Sequence, residues 1–134
     1  LPDDMAWDDI YNIFPESYST ESRARDDFDE LVTCQAHQIH INHGSRTIGG
    51  IVHYLKERHE SFGRWSRTLF NFQKAPMTLI WGEQDPVAVV AMADRIKRER
   101  PVTDLYKYPD CAHWPSIEYP DRIGDAILAR LGSV

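Results

Sequence analysis

The chain has 134 residues, is 42% hydrophobic and 27% charged, and carries four Trp, six Tyr and five Phe. That is enough apolar material for one folded domain and excludes a disordered chain, while no run of about 18 apolar residues exists to span a membrane. The net charge of −6 is concentrated at the front, where residues 1–30 hold ten acids and two bases against 11 acids and 13 bases in the rest, which argues against a nucleic-acid partner.

Residues 1–74 are rich in helix formers and charge. Residues 8–14 suit a short helix that ends before Pro15, because the residue before a proline avoids the helical region. Thr20 is placed to cap a helix over 21–42, whose apolar positions Phe28, Leu31, Val32, Cys34, Ala36 and Ile39 fall mostly three and four apart. Gly44 is its expected stop. Ser45 can cap a further helix over 46–59, with Ile48, Ile51, Val52 and Leu55 on one stripe. Residues 62–72 predict one more, presenting Phe62, Trp65, Leu69 and Phe72.

Residues 75–134 change texture. Met77-Thr78-Leu79-Ile80-Trp81 is a short apolar run that suits a strand buried on both faces of a parallel sheet, and Gly82 ends it. Residues 88–100 predict a helix with Arg95, Lys97, Arg98 and Arg100 towards its C-terminal end, where the helix dipole favours cations. Residues 102–108 are the next strand. Pro120 opens a last helix with Ile123, Ile127, Leu128 and Leu131 on its apolar stripe. Strand, helix, strand, helix is a parallel α/β pattern. Two strands cannot cover helices on both faces, so 75–134 reads as the end of a larger sheet, and the edge and apolar faces of Leu79, Ile80 and Leu105 are expected to drive dimerisation, domain swapping or pairing with another chain.

Two loops carry the residues with chemistry. Asp85 lies in Trp81-Gly82-Glu83-Gln84-Asp85-Pro86, just past the carboxyl end of the first strand. His113 lies in Asp110-Cys111-Ala112-His113-Trp114-Pro115, just past the second. Sites in open α/β sheets form at that end of the strands. A carboxylate there can fix the tautomer of an imidazole on the adjacent strand end, and the imidazole can act as general base.

These residues, with Pro115, Glu118 and Pro120, resemble the C-terminal end of the α/β-hydrolase-fold family. In that family a Gly-x-x-Asp turn supplies the triad acid and a Gly-His-x-Pro-x-x-Glu-x-Pro segment the triad base. Here Ala112 replaces only the glycine before the histidine. The resemblance implies that Asp85 is the acid and His113 the base, that Glu118 and Pro120 are structural, and that residues 1–74 form a helical cap in front of the core units of 75–134. Gly44-Ser45-Arg46, Tyr54-Leu55-Lys56-Glu57-Arg58 and Arg64-Trp65 resemble caps of the haloalkane dehalogenase, epoxide hydrolase and mesoderm-specific-transcript branch. Tyr54, Trp65 and Trp114 would then contact a small hydrophobic substrate, although Tyr54, Phe62 and Trp65 also fit simple core packing.

The family's nucleophile elbow is not in this sequence. Neither Gly-x-Ser-x-Gly nor Gly-x-Asp-x-Gly occurs, and the nearest serine, Ser45, is flanked by His43 and Thr47 where small residues are needed and precedes Asp85 by only 40 positions. Leu1 is not Met, so the expectation is a C-terminal piece of a longer hydrolase acting on an ester, epoxide or carbon–halogen bond. Its nucleophile would sit on an N-terminal half, in the same gene product or a separate chain. The alternative is a relative that has lost catalysis and acts as a binding protein. No cofactor is expected. His37, His40 and His43 are spaced by three, but no acid or cysteine completes an ordinary metal site. Cys34 and Cys111 make no disulfide framework and no signal segment is visible, so a reducing, cytoplasmic setting is expected.

Overall fold

The structure is a computed structural model that describes residues 5–44, 46–47, 54–71 and 74–132, Asn42 by its backbone only. It divides into two compact units. Leu1–Pro15 with Asp26–Ala75 forms the first, and Glu16–Arg25 with Pro76–Val134 the second. Ser45, Ile48, Ile51, Val52 and Phe72 lie outside the described residues. Among the described residues no helix is long and apolar enough to cross a membrane.

In the first unit, α1 (Trp7–Tyr11) packs on the longer helix α3 (Phe28–His40). Ile10 is fully buried there with Val32 and Ala36, two positions of the three-and-four spacing along 28–40, whereas Cys34, expected on the same stripe, is exposed. The Trp7 ring stands edge-on to both His37 and His40, at 5.7 and 5.6 Å between centroids. Past α3 the chain turns tightly over Ile41–His43, and His43 adopts a φ of 56°. Gly44 is not the stop expected of it, because α3 already ends at His40 with Ile41 as its C-cap and Gly44 is itself helical; a Cβ there would lie 2.3 Å from the carbonyl oxygen of Ile39, so the turn leaves no room for a side chain.

Two expectations for the helical part change. The helix predicted over 21–42 is broken. A short α2 (Thr20–Arg23) ends at Ala24, and α3 starts again only after Asp27. The N-cap of α2 is Ser19 rather than Thr20, its Oγ accepting from the Ser22 amide at 3.1 Å. Residues 54–59 and 62–71 of the two helices predicted over 46–59 and 62–72 lie in one continuous helix, α4 (Tyr54–Asn71), while Arg46 and Thr47 are also helical and residues 48–53 lie outside the described residues. Nothing in His59-Glu60-Ser61 stops a helix, and Gly63 costs only modestly in a helix interior. No residue of α4 is buried, so Tyr54, Phe62 and Trp65 are not core: each is about half exposed, on a helix face shared with Leu55.

In the second unit, β1 (Thr78–Gly82) runs parallel to β2 (Asp104–Tyr108), Thr78 opposite Asp104 and Gly82 opposite Tyr108. The connection is α5 (Val90–Glu99), whose Ala93 is fully buried. The Lys97 ammonium donates to the carbonyls of Pro101 and Thr103 just past its C-terminal end, at 2.8 and 2.7 Å. Pro115 and Pro120 each take the first helical position, in α6 (Pro115–Glu118) and α7 (Pro120–Leu131). The first strand was expected to be buried on both faces. In the structure Thr78 to Trp81 are half-buried, because β1 pairs with a single neighbour in this two-stranded sheet. The charged residues of β2 are paired: Asp104 with Arg130 at 3.0 Å and Lys107 with Asp94 at 3.1 Å. The architecture of the described residues is thus a mixture of helices with one small parallel sheet.

Gly82 sets how closely the histidine loop approaches β1. A Cβ there would fall 2.1 Å from the Ala112 carbonyl oxygen and 2.5 Å from that of Cys111. Both obstacles are backbone, so they cannot swing aside. Gly82→Ala should destabilise the chain by about 1–3 kcal/mol, the usual range for overpacking, read as a lower urea midpoint. A wild-type midpoint would contradict this close approach.

Candidate active site

The turn that carries Asp85 is pinned to the neighbouring loop. Past Gly82 the Glu83 amide donates to the Tyr108 carbonyl and the Gln84 amide to the Cys111 carbonyl, both at 2.9 Å. The Gln84 side chain braces the same turn, its Nε2 donating to the Pro109 carbonyl at 3.0 Å and its Oε1 accepting from the Thr20 amide at 3.1 Å. Asp85 then points inwards. Its Oδ1 accepts from the backbone N–H of Val87 and of Ala88, both at 2.8 Å, which folds the chain towards α5.

His113 faces this carboxylate across the strand ends. Its Nδ1 lies 3.0 Å from Oδ1 and 2.9 Å from Oδ2 of Asp85. A carboxylate can only accept, so Nδ1 carries the proton and donates it. The tautomer is thereby set, and Nε2 is left as the basic nitrogen. Nε2 has no hydrogen-bond partner among the described residues. The Asp85 side chain is 7% exposed and that of His113 28%, so the acid is sequestered while the base reaches open space. That space is a pocket of about 220 Å³, whose apolar walls come from Ile80, Trp81, Ala88, Ala112 and Pro115. The Trp81 indole N–H donates to the Ala88 carbonyl, which fixes the wall beside Asp85.

Trp114 stands edge-on to the His113 ring at 4.8 Å, with its indole N–H donating to the Ser17 hydroxyl at 2.7 Å. Asp85, His113 and Trp114 are therefore brought together in the second unit, whereas Tyr54 and Trp65 belong to α4 in the first. Among the described residues no group of three or more His, Cys, Asp or Glu is placed to hold a metal.

Below the loop lies a carboxylate that the hydrolase resemblance marks as structural. Glu118 is 2% exposed. Its Oε1 accepts from the backbone N–H of Ala112 at 3.0 Å and of Trp114 at 3.1 Å. Its Oε2 accepts from the Ser19 amide at 3.0 Å and the Ser22 hydroxyl at 2.9 Å. Burial pushes its pKa up, but the hydrogen bonds from Ser19, Ser22 and Trp114 together outweigh burial and hold it below the usual glutamate value. Ser17, Ser19 and Ser22 are the contributors that sequence reasoning missed. The one available signal was Ser19-Thr20-Glu21-Ser22, in which a serine three residues before another can cap a short turn.

No protein-family model matches the chain. Ninety residues, 67% of the chain, align at 30% identity with a protein named "Putative hydrolase LipZ" from Mycobacterium tuberculosis, in strains CDC 1551/Oshkosh and ATCC 25618/H37Rv alike. The aligned part spans 31% of LipZ, so the chain matches under a third of that relative. The likeness supports a hydrolase-type protein in general.

Two outcomes follow from the burial pattern. Burial and then the nearby Glu118 charge push the Cys111 thiol up to about 12, whereas Cys34 is exposed. Iodoacetamide at pH 8 should therefore label Cys34 in the folded chain and Cys111 only on unfolding, as mass spectrometry would read; equal labelling of both would refute the buried loop. The lowered pKa of Glu118 makes its stabilisation complete above the ordinary carboxylate range and lost as pH falls through the folded value. The melting temperature should fall on acidification below about pH 5, the upper edge of ordinary carboxylate titration, and fall less steeply in Glu118→Gln. Identical acid limbs would contradict the assignment.

Proposed function

We propose that Asp85 and His113 are the acid and base of a nucleophile–His–Asp triad in an α/β-fold hydrolase, acting on an ester, epoxide or carbon–halogen bond of a small hydrophobic substrate. The observation that carries this is the bond from His113 Nδ1 to both oxygens of the buried Asp85 carboxylate, which leaves Nε2 as the basic nitrogen of a residue that lines an apolar pocket. The likeness to LipZ supports the same reaction class. In this reading the nucleophile comes from a segment outside this chain, the helical unit is the cap, and Tyr54, Trp65 and Trp114 touch substrate.

The geometry suits two versions of the reaction. With a serine nucleophile, Nε2 takes the hydroxyl proton as the oxygen attacks the acyl carbon. Asp85 stabilises the resulting imidazolium, which returns the proton to the leaving alkoxide. Water then repeats the cycle on the acyl-enzyme. With an aspartate nucleophile, the carboxylate attacks the carbon and displaces halide, or opens the epoxide to an alkoxide that takes a proton from water. Nε2 then takes a proton from the water that hydrolyses the covalent ester.

The test combines this chain with its nucleophile-bearing segment and follows p-nitrophenyl ester and epoxide hydrolysis. His113→Ala should lower turnover by about 10²–10⁴-fold, the usual contribution of a positioned acid–base group. If that variant still releases one equivalent of product and traps a covalent ester, the nucleophile is a carboxylate; if it releases none, it is a hydroxyl. Undiminished steady-state turnover in His113→Ala would overturn the reading.

A further inference from the structure

The three consecutive amides around the candidate base all end on fixed acceptors. Those of Ala112 and Trp114, on either side, donate to the same oxygen of Glu118, at 3.0 and 3.1 Å. The amide of His113 itself donates to the Ser17 carbonyl at 2.9 Å. Ser17 is in turn held by Glu118 at one remove, because the other carboxylate oxygen anchors the Ser19 amide and the Ser22 hydroxyl of the same segment. The Arg25 guanidinium adds a bond to the Glu118 carbonyl at 3.0 Å. A residue whose own amide and both neighbouring amides are tied has little freedom in φ and ψ, so the direction of its Cα–Cβ bond is set.

We infer that Glu118 is a positioning residue for His113: one carboxylate oxygen grips the backbone on both sides of the histidine, the other grips the segment that holds the histidine's own amide, and together they aim the ring at Asp85. This rests on the reading of Asp85 and His113 as an acid–base pair. Glu118 does not touch the pocket and acts only through the loop. A residue that merely filled space beneath α6 would need neither two amides on one oxygen nor a full charge. A shorter carboxylate cannot span the loop and the serine segment at once. An amide of equal length keeps an acceptor for one side but sets N–H against N–H on the other, leaving a buried donor unpaired.

The experiment is ¹H–¹⁵N spectroscopy of the histidine rings in the 134-residue chain. The wild type should show His113 as one tautomer, with a downfield, slowly exchanging proton on Nδ1. Asp85→Asn should abolish that signal; if it does not, the acid–base pairing itself fails, separately from the role of Glu118. Glu118→Asp, with the methyl signals of Leu79, Ile80 and Leu105 unmoved, should lose the downfield proton and mix the tautomers. If Glu118→Asp does not fold, Glu118→Gln decides: its Nδ1 proton should exchange about tenfold faster, the equivalent of one unpaired buried donor. A wild-type ring spectrum in a folded Glu118→Asp, or a wild-type exchange rate in Glu118→Gln, would overturn the proposal. In the complemented hydrolase the Asp variant should lower kcat about tenfold for the same reason and leave KM unchanged.

Discussion

A buried carboxylate tolerates isolation poorly, and this constraint organises the second unit. Taking a charge out of water costs several kcal/mol unless donors replace the lost solvent. Glu118 gathers its donors from the histidine loop and from the serine segment of residues 16–25. Those two stretches are nearly a hundred positions apart, and neither forms a ladder with the other. The carboxylate substitutes for regular structure: it lets an irregular loop at the end of β2 be as fixed as a strand. Gly82 supplies the other half of the constraint by letting that loop descend onto β1. The site depends on both, because an imidazole can select its tautomer through Asp85 only if its backbone cannot drift.

Much of the second unit was legible in the sequence, for physical reasons that are easy to name. An apolar run bounded by Pro76 and Gly82 has few alternatives to a strand, and Pro120 suits a first helical position, whereas the short helix from Pro115 was not expected. The placement of Asp85 and His113 at adjacent strand ends followed from parallel topology alone. Burial was less legible: the composition of β1 is that of a strand covered on both sides, and its half-exposure reflects how few strands surround it.

The helical part was harder because its pattern is local while its boundaries are not. The apolar spacing of 28–40 was readable, but Ser19, Ser22 and Arg25, just before the break near Asp26-Asp27, bond to Glu118, far along the chain. No window of neighbouring residues contains that information. In α4 the error was the opposite: two amphipathic stretches were separated where nothing interrupts the helix. Its exposed aromatic face shows that an apolar stripe reports a capacity for burial and does not by itself show what covers it.

The central claim is that Asp85 holds a proton on Nδ1 of His113 so that Nε2 is the base. Neutron diffraction from a deuterium-exchanged crystal near pH 7.5 locates that proton directly. The account predicts a deuteron on Nδ1 directed at the Asp85 carboxylate, with Nε2 bare. A deuteron on Nε2 with Nδ1 bare, or a ring turned away from Asp85, would contradict it.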